Sequence, residues 1–176
     1  MLPINDKDHV VGEGNATVTL VEYGDFECPY CGQAHPVVEE VRKIEGNKLK
    51  FVFRNFPLSQ VHPHANRAAY AAEAAAKQGK FWQMHDLLFE NQSELEDQDL
   101  IIYAQSLGLD IKQFNKDMNS QEIAKKVKDD FLSGVNSGVN GTPTFFINGT
   151  RFDQPSEVEF LREAIESTAK NIRKEG

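Results

Sequence analysis

The stretch VTLVEYGDFECPYC, residues 18–31, contains both cysteines of this 176-residue chain and joins a strand pattern to a helix pattern. Residues 18–23 are largely apolar, which is typical of a buried strand, and Gly24 ends the pattern. Pro29 suits the first position of a helix, because its φ is preset and the missing N–H costs nothing there. The stretch therefore predicts a strand and then a helix, with a Cys-x-x-Cys pair at the junction.

The spacing of the two cysteines predicts redox chemistry. Side chains at i and i+3 of a helix lie on one face with Cβ atoms about 5–6 Å apart, which is only modestly longer than a disulfide needs. Cys28 falls at the N-cap, where unpaired backbone N–H groups and the positive end of the helix dipole stabilise a thiolate and lower its pKa. Cys31 lies further into the helix and is expected to be less exposed. We therefore expect Cys28 to attack substrates and Cys31 to resolve the product.

A structural or a metal-binding role for the cysteines is less well supported. A chain of this length needs no disulfide staple, and a loop of three residues constrains the unfolded chain very little. Zinc would need two further ligands, for which His62 and His64 are the candidates, but their spacing is tighter than the usual His-x3–5-His. We therefore expect no metal, and interpret His62 and His64 as polar residues leading into an alanine-rich helix.

Two ionisable residues near the cysteines have open interpretations. Glu22 is either a solvent-facing strand residue or a buried carboxylate with a raised pKa that accepts a proton when Cys31 attacks a mixed disulfide. The strand pattern alone leaves both possibilities open. His35 follows Cys31 by four residues on the same helix face; it either tunes the thiols or is solvated beside Pro36, and the second is expected.

The rest of the chain returns to strands only near its end. Residues 48–54 alternate apolar side chains with Lys48, Lys50 and Arg54, which predicts a half-buried strand. Residues from about 61 to 139 carry helical patterns alone.

The last segment predicts a hairpin and a helix. The strand pattern at residues 143–147 is followed by Asn148-Gly149, a strong hairpin signal. Ser156 and Glu159 predict a capping box at the start of the last helix. The order is βαβ, a helical block, then ββα. We expect one α/β domain over residues 1–176, because neither half has enough strands to be stable alone.

Composition limits the partners and the compartment. The net charge of −8 argues against nucleic acids and anionic membrane surfaces, and no apolar run is long enough to span a membrane. The first fourteen residues lack the basic and apolar regions of a signal peptide. We expect a cytoplasmic protein, or an exported one if a targeting segment had been removed.

The motifs together resemble the DsbA-like class of thioredoxin-fold disulfide oxidoreductases. The resemblance extends from VTLVEYGDFECPYC through HPHANRAAYAAEAA and GKFWQMHDLLFE to GVNGTPTFFING, which is almost the whole chain. It implies a thioredoxin fold with an all-helical insertion, at about residues 61–139, between the two halves of the sheet.

The resemblance also implies roles for individual residues. Cys28 and Cys31 match the redox pair, Glu22 matches a buried acid near the cysteines, and Pro36 matches a proline that kinks the active-site helix. This match favours the buried interpretation of Glu22.

On the substrate side, Pro143 matches a cis-proline that faces the cysteines. Thr142 precedes it, and its backbone is free to pair with an extended peptide. Pro29 and Tyr30, between the cysteines, complete the expected substrate-binding residues. Strongly oxidising DsbA proteins carry Pro-His there, so Tyr30, which adds no cation beside Cys28, predicts an intermediate reduction potential.

The expected activity is thiol–disulfide exchange with protein or peptide thiols and disulfides, without a cofactor. Glutathione or a redox partner protein are further candidates for the recycling step. Two alternatives are a glutathione-linked transferase or reductase of the same superfamily and a non-catalytic module that binds a peptide or zinc.

Overall fold

The computed structural model describes residues 1–175, which form a five-stranded sheet covered by helices. The strands are β1 (His9–Val11), β2 (Val18–Gly24), β3 (Leu49–Asn55), β4 (Thr144–Ile147) and β5 (Thr150–Phe152). The helices are α1 (Pro29–Glu45), α2 (Ala65–Lys77), α3 (Phe81–Glu90), α4 (Asp97–Ser106), α5 (Ile111–Met118), α6 (Gln121–Asn136) and α7 (Val158–Glu175).

The sheet has the order β1-β3-β2-β4-β5. β2 and β3 are parallel and are joined through α1, whereas β1 with β3, β2 with β4, and β4 with β5 are antiparallel. Helices α2 to α6 lie in the chain between β3 and β4. The predicted α/β thioredoxin fold with an all-helical insertion is therefore confirmed; the inserted helices run from Ala65 to Asn136.

Both faces of the central strands are buried. On β2, Leu20 belongs to the larger core under α1 and the inserted helices, while Val21 and Tyr23 belong to a smaller core on the opposite face. The alternation of side chains along β2 therefore does not separate a solvent-exposed face from a buried face.

The prediction of a half-buried β3 is wrong at Arg54, whose side chain is buried. Its Nε and Nη2 donate to the two carboxylate oxygens of Asp8 at 2.8 Å each, and Nη1 donates to Tyr23 Oη at 2.9 Å. The sequence pattern did not reveal β1, which pairs with β3 and directly follows Asp8. This edge strand is the reason that Arg54 meets a carboxylate instead of water.

Of two local predictions near the end of the chain, one is confirmed and one is wrong. The hairpin at Asn148-Gly149 is confirmed, since both residues have positive φ, 46° and 84°, between β4 and β5. The capping box at Ser156 is wrong, because α7 begins at Val158 and Leu161 N donates to the carbonyl of Glu157. Within residues 1–175, no helix is both long and apolar enough to cross a membrane.

Candidate active site

The two cysteines lie at the start of α1, where the strand-to-helix junction places them. Cys28 is the N-cap with extended backbone (φ −71°, ψ 122°), and Pro29 occupies the first turn. Both cysteines are free thiols and are buried, Cys28 with 3% and Cys31 with 0% of its surface exposed. Tyr30 between them is 69% exposed, so the dipeptide faces solvent while the thiols lie beneath it.

The environments of the two thiols separate their pKa values. A hydrogen bond from the Cys31 thiol, with others from Thr142 and from the backbone at Tyr30 and Cys31, outweighs burial and lowers the pKa of Cys28 to about 5. Burial raises the pKa of Cys31 well above its ordinary value, and the charges of Glu22 and Cys28 add to the effect. At neutral pH, Cys28 is a thiolate and Cys31 is a protonated donor to it.

The segment before β4 meets the cysteines from the other half of the chain. The peptide bond between Thr142 and Pro143 is cis. Cys28 Sγ lies 3.5 Å from the carbonyl oxygen of Thr142, to which only the protonated thiol can donate. Thr142 Oγ1 is buried and has no hydrogen-bond partner among residues 1–175, so it is available to a thiolate. The structure thus brings Thr142 and Pro143 to Cys28.

Glu22 is buried, with 2% of its surface exposed, so its interpretation as a solvent-facing residue is wrong. On β2 it lies between Phe53 of β3 and Phe145 of β4, and its Oε1 has no hydrogen-bond partner among residues 1–175. Burial, and secondarily the negative charge of Cys28, raises its pKa to about 8. A carboxyl group in this state exchanges a proton near neutral pH.

His35 is packed instead of solvated, which corrects the expectation. Its side chain is only 12% exposed, and its ring stacks on Phe89 with centroids 5.2 Å apart. His35, His85 and Asp86 have donor atoms within 4.8 Å of one another, which is a spacing that a metal ion could use. However, His85 Nδ1 and Asp86 Oδ1 already hydrogen-bond to each other at 2.9 Å.

The two histidines of the HPH segment, residues 62–64, contact carboxylates on the loop that precedes Cys28. His62 Nδ1 lies 2.7 Å from Asp25 Oδ2, and His64 Nδ1 lies 2.8 Å from Glu27 Oε1. Their interpretation as a polar approach to α2 is therefore incomplete: this segment is bound to the active-site loop.

Asp25 is a residue of the candidate site that sequence reasoning missed. It is buried, its carbonyl accepts from Cys28 N at 3.1 Å, and its own N–H points to Cys31 Sγ at 3.5 Å. Its Oδ2 also accepts from Leu58 N at 2.9 Å. The only signal in the sequence was a carboxylate three residues before a cysteine, and such a residue is usually a solvated loop acid.

Gln92 is a second missed residue. Its Nε2 donates to the carbonyl oxygens of Phe26 at 2.9 Å and Cys28 at 2.8 Å, so it satisfies the backbone of the active-site loop. Gly32 allows this contact, because a Cβ there would lie 2.0 Å from Gln92 Oε1. No motif marks Gln92, which is 64 residues from Cys28.

A thioredoxin fold with a low-pKa cysteine at the N-cap and a buried partner cysteine defines a thiol-redox class of site. Residues 4–167 match the Thioredoxin_4 family, described as thioredoxin. The chain belongs to this family.

Sequence relatives extend the comparison. Over 174 residues the chain is 47% identical to the Na(+)/H(+) antiporter NhaA 3 of Salinispora tropica, a match that covers 98% of this chain and 26% of that protein. The chain thus spans about a quarter of the length of the curated relatives it matches.

Solved structures resemble the whole chain. A thioredoxin-like oxidoreductase from Silicibacter pomeroyi has a TM-score of 0.85 at 28% identity, with 94% of each chain covered. Oxidised BdbD from Bacillus subtilis has a TM-score of 0.80 at 25% identity, with 93% of this chain and 94% of that chain covered. Wolbachia pipientis alpha-DsbA1 has a TM-score of 0.84 at 23% identity, with 100% of this chain and 98% of that chain covered, so the fold is shared with a DsbA protein, as the resemblance implied.

Proposed function

We propose that the protein is a thiol–disulfide oxidoreductase that acts on protein or peptide substrates through Cys28 and Cys31. The observation that carries the proposal is the opposite displacement of the two pKa values at one helix N-terminus. A thiolate that persists at neutral pH is the attacking species in disulfide exchange. A protonated Cys31 does not attack the mixed disulfide at Cys28 until it loses its proton. Zinc binding would require both thiols to be deprotonated, which the raised pKa of Cys31 opposes, and a module that only binds a peptide needs no thiolate.

The reaction takes place in two displacements. The Cys28 thiolate attacks one sulfur of a substrate disulfide, the substrate S–S bond breaks, and the other substrate sulfur leaves as a thiolate. Cys31 then loses its proton and attacks Cys28 Sγ, which releases the second substrate sulfur and leaves a Cys28–Cys31 disulfide. Two electrons pass to the substrate, and the reverse sequence oxidises a dithiol.

Glu22 is the proposed proton acceptor for Cys31. While Cys28 is a thiolate, its charge adds to burial and keeps Glu22 mostly protonated near pH 7. The mixed disulfide removes that charge, so the pKa of Glu22 falls at the stage when Cys31 must be deprotonated. The carboxylate therefore becomes available as a base when one is needed.

Substrate contacts are proposed for the residues around Cys28. The exposed Pro29 and Tyr30 offer a surface on one side of the sulfur, and Thr142 with Pro143 offers backbone on the other. An extended peptide can pair with such a backbone segment. The Silicibacter protein, at 28% identity, is described as an oxidoreductase, which supports the activity.

The recycling partner and the compartment follow from the activity only as proposals. Glutathione or a partner protein would restore the starting redox state. The cytoplasmic location stays a prediction, and there the pair would rest as the dithiol and reduce its substrates.

Insulin reduction by the purified chain tests the proposal. We expect turnover by the wild type and none by Cys28→Ser, while Cys31→Ser accumulates a mixed disulfide that is visible on a non-reducing gel. Circular dichroism of both variants checks that the fold is kept. Full activity of Cys28→Ser would overturn the proposal, as would a wild-type pair that forms no disulfide in any glutathione redox buffer.

A further inference from the structure

The HPH segment has two histidine–carboxylate pairs, which differ in their relation to the cysteines. His64 pairs with Glu27, and this contact lies at the surface, with 40% of the His64 side chain exposed. His62 pairs with Asp25, whose side chain is fully buried. Only the second pair reaches the residue that contacts both cysteines through its backbone.

Asp25 is held in place by four contacts. Its Oδ1 accepts from Glu27 N at 2.8 Å, and its Oδ2 accepts from Leu58 N at 2.9 Å and contacts His62 Nδ1 at 2.7 Å. Its carbonyl oxygen accepts from Cys28 N at 3.1 Å. The imidazole of His62 is thereby held against the loop that presents the Cys28 sulfur.

We propose that Asp25 positions His62 as an imidazolium beside the Cys28 thiolate, where it supplies the positive charge that the Pro29-Tyr30 dipeptide lacks. This inference rests on the proposed function, since it concerns the thiolate that performs it. It departs from the expectation drawn from Tyr30, in which the absence of a histidine between the cysteines implied a weaker stabilisation of the Cys28 thiolate.

The charges around His62 support the assignment. Burial acts to lower the pKa of His62, but the hydrogen bond and charge of Asp25, together with the charges of Cys28 and Glu27, raise it above the ordinary value of 6.5. The pKa of Cys28 is about 5, so near pH 6 the thiolate and the imidazolium coexist. Because the interaction between two charges is reciprocal, the imidazolium also lowers the pKa of Cys28, although the hydrogen bonds from Cys31 and Thr142 lower it more.

The titration order determines when the effect is present. The ionisable groups facing His62 are Asp25 and Glu27 on the loop after β2 and Cys28 at the start of α1, with His64 two residues away on its own loop. When Cys28 titrates near pH 5, His62 is already protonated, and its charge favours the thiolate. Loss of the imidazolium charge should therefore move the Cys28 titration to higher pH.

Alkylation of the reduced full-length chain tests the proposal without a substrate. The rate of Cys28 modification by iodoacetamide, followed by mass spectrometry from pH 3.5 to 8, reports the thiolate fraction. His62→Gln retains a hydrogen-bond donor for Asp25 but no charge, and we expect its alkylation rate at pH 5 to fall about twofold or more. His64→Gln removes the surface histidine of the other pair, and we expect the wild-type curve.

His62→Lys provides the second variant, because it replaces the imidazole with another cation. We expect its titration curve to lie nearer that of the wild type than that of His62→Gln. The proposal is overturned if His62→Gln titrates as the wild type does, or if both Gln variants shift equally, which would indicate a structural role of the loop. Because alkylation reads Cys28 directly, a failure here leaves the insulin assay to decide on the oxidoreductase activity separately.

Discussion

Cys28 Sγ lies 3.5 Å from the carbonyl oxygen of Thr142, although the two residues are 114 positions apart in the chain. One belongs to the βαβ half of the fold, and the other comes just before β4, after the inserted helices. The site exists because these two halves of the sheet meet at β2 and β4. The same contact brings the buried hydroxyl of Thr142 to the thiolate. This Oγ1 has no hydrogen-bond partner among the described residues 1–175.

The first prediction concerns that hydroxyl. Thr142→Val keeps the shape of the side chain but removes the donor, and a hydrogen bond to a charged group contributes about 1.5 kcal/mol or more. We expect the pKa of Cys28, about 5 in the wild type, to rise by about one unit. Thiolate absorbance at 240 nm against pH measures it. Thr150→Val, on the exposed strand β5, is the control and should leave the curve unchanged.

The second prediction concerns the stability that the fold loses at higher pH because Glu22 is buried. Its folded-state pKa of about 8 lies above the ordinary 4.5, so the folded state binds the extra proton and loses stability as the pH rises from 4.5 to 8. Glu22→Gln removes this loss. We expect its free energy of unfolding, relative to wild type, to improve by on the order of 3 kcal/mol between pH 4.5 and pH 7. Denaturant unfolding at the two pH values measures it. A difference in free energy of unfolding between the variant and the wild type that is the same at both pH values would contradict the prediction.

The third prediction separates that stability from catalysis. If Glu22 accepts the Cys31 proton, Glu22→Gln should slow the decay of the mixed disulfide at Cys28 by about tenfold or more, because general bases contribute at least that much. Stopped-flow mixing with a peptide disulfide gives the rate. The mixed disulfide of Glu40→Gln, an exposed change on α1, should decay at the wild-type rate. Equal decay in all three proteins would remove Glu22 from the mechanism.

The fourth prediction concerns the close packing of Gly24 at the end of β2. A Cβ there would lie 2.5 Å from Phe53 Cε2 and 3.0 Å from Glu22 Oε1, and the Phe53 ring is fully buried and unable to give way. Gly24→Ala should lower the free energy of unfolding by about 1–3 kcal/mol. Gly14→Ala, where no atom lies within 4 Å of the new Cβ, should change it by less than about 0.5 kcal/mol. Urea unfolding of the pair decides it.

The fifth prediction concerns the buried ion pair at β3. Asp8→Asn leaves the guanidinium of Arg54 without its charge partner, at a cost of about 3–5 kcal/mol. Burial alone would raise the pKa of Asp8, but the hydrogen bonds and charge of Arg54 outweigh it and lower that pKa below 3.8. The pair therefore stabilises the fold above pH 3.8, and its contribution fades as the pH falls through the folded pKa.

Unfolding of Asp8→Asn and of the exposed control Asp6→Asn, each at pH 7 and at pH 3, measures the contribution of the Asp8–Arg54 pair. We expect a large difference between the two variants at pH 7 that narrows at pH 3. A deficit of Asp8→Asn that is the same at both values would show that the lost contact is not the ionised pair.

Features that depend only on residues close in sequence were predictable. Cys28 and Pro29 required only the rule that a helix begins where a proline can sit and a side chain can meet free N–H groups. The hairpin at Asn148-Gly149 required only positive φ at two consecutive residues.

Residues whose role depends on burial were not predictable in this way. Glu22 and Arg54 occupy strand positions that alternation would allow to face water, yet β2 and β3 are covered on both faces. The edge strand β1, three residues long, was too short to leave a pattern, and without it the partner of Arg54 was hidden. Likewise, His35 was expected in solvent because the ring of Phe89, on α3, is 54 positions away in sequence.

The sequence by itself predicted Cys28 as the attacking cysteine and determined its place at the start of α1 and the βαβ…ββα order, because helix initiation and turn formation act over a few neighbouring residues. Tertiary structure alone decided which charges surround that cysteine. Asp25 and His62 are 37 positions apart, and Thr142 is 114 from Cys28. Desolvation and charge interactions depend on distance in space, so the pKa values of the site follow from packing that no local pattern records.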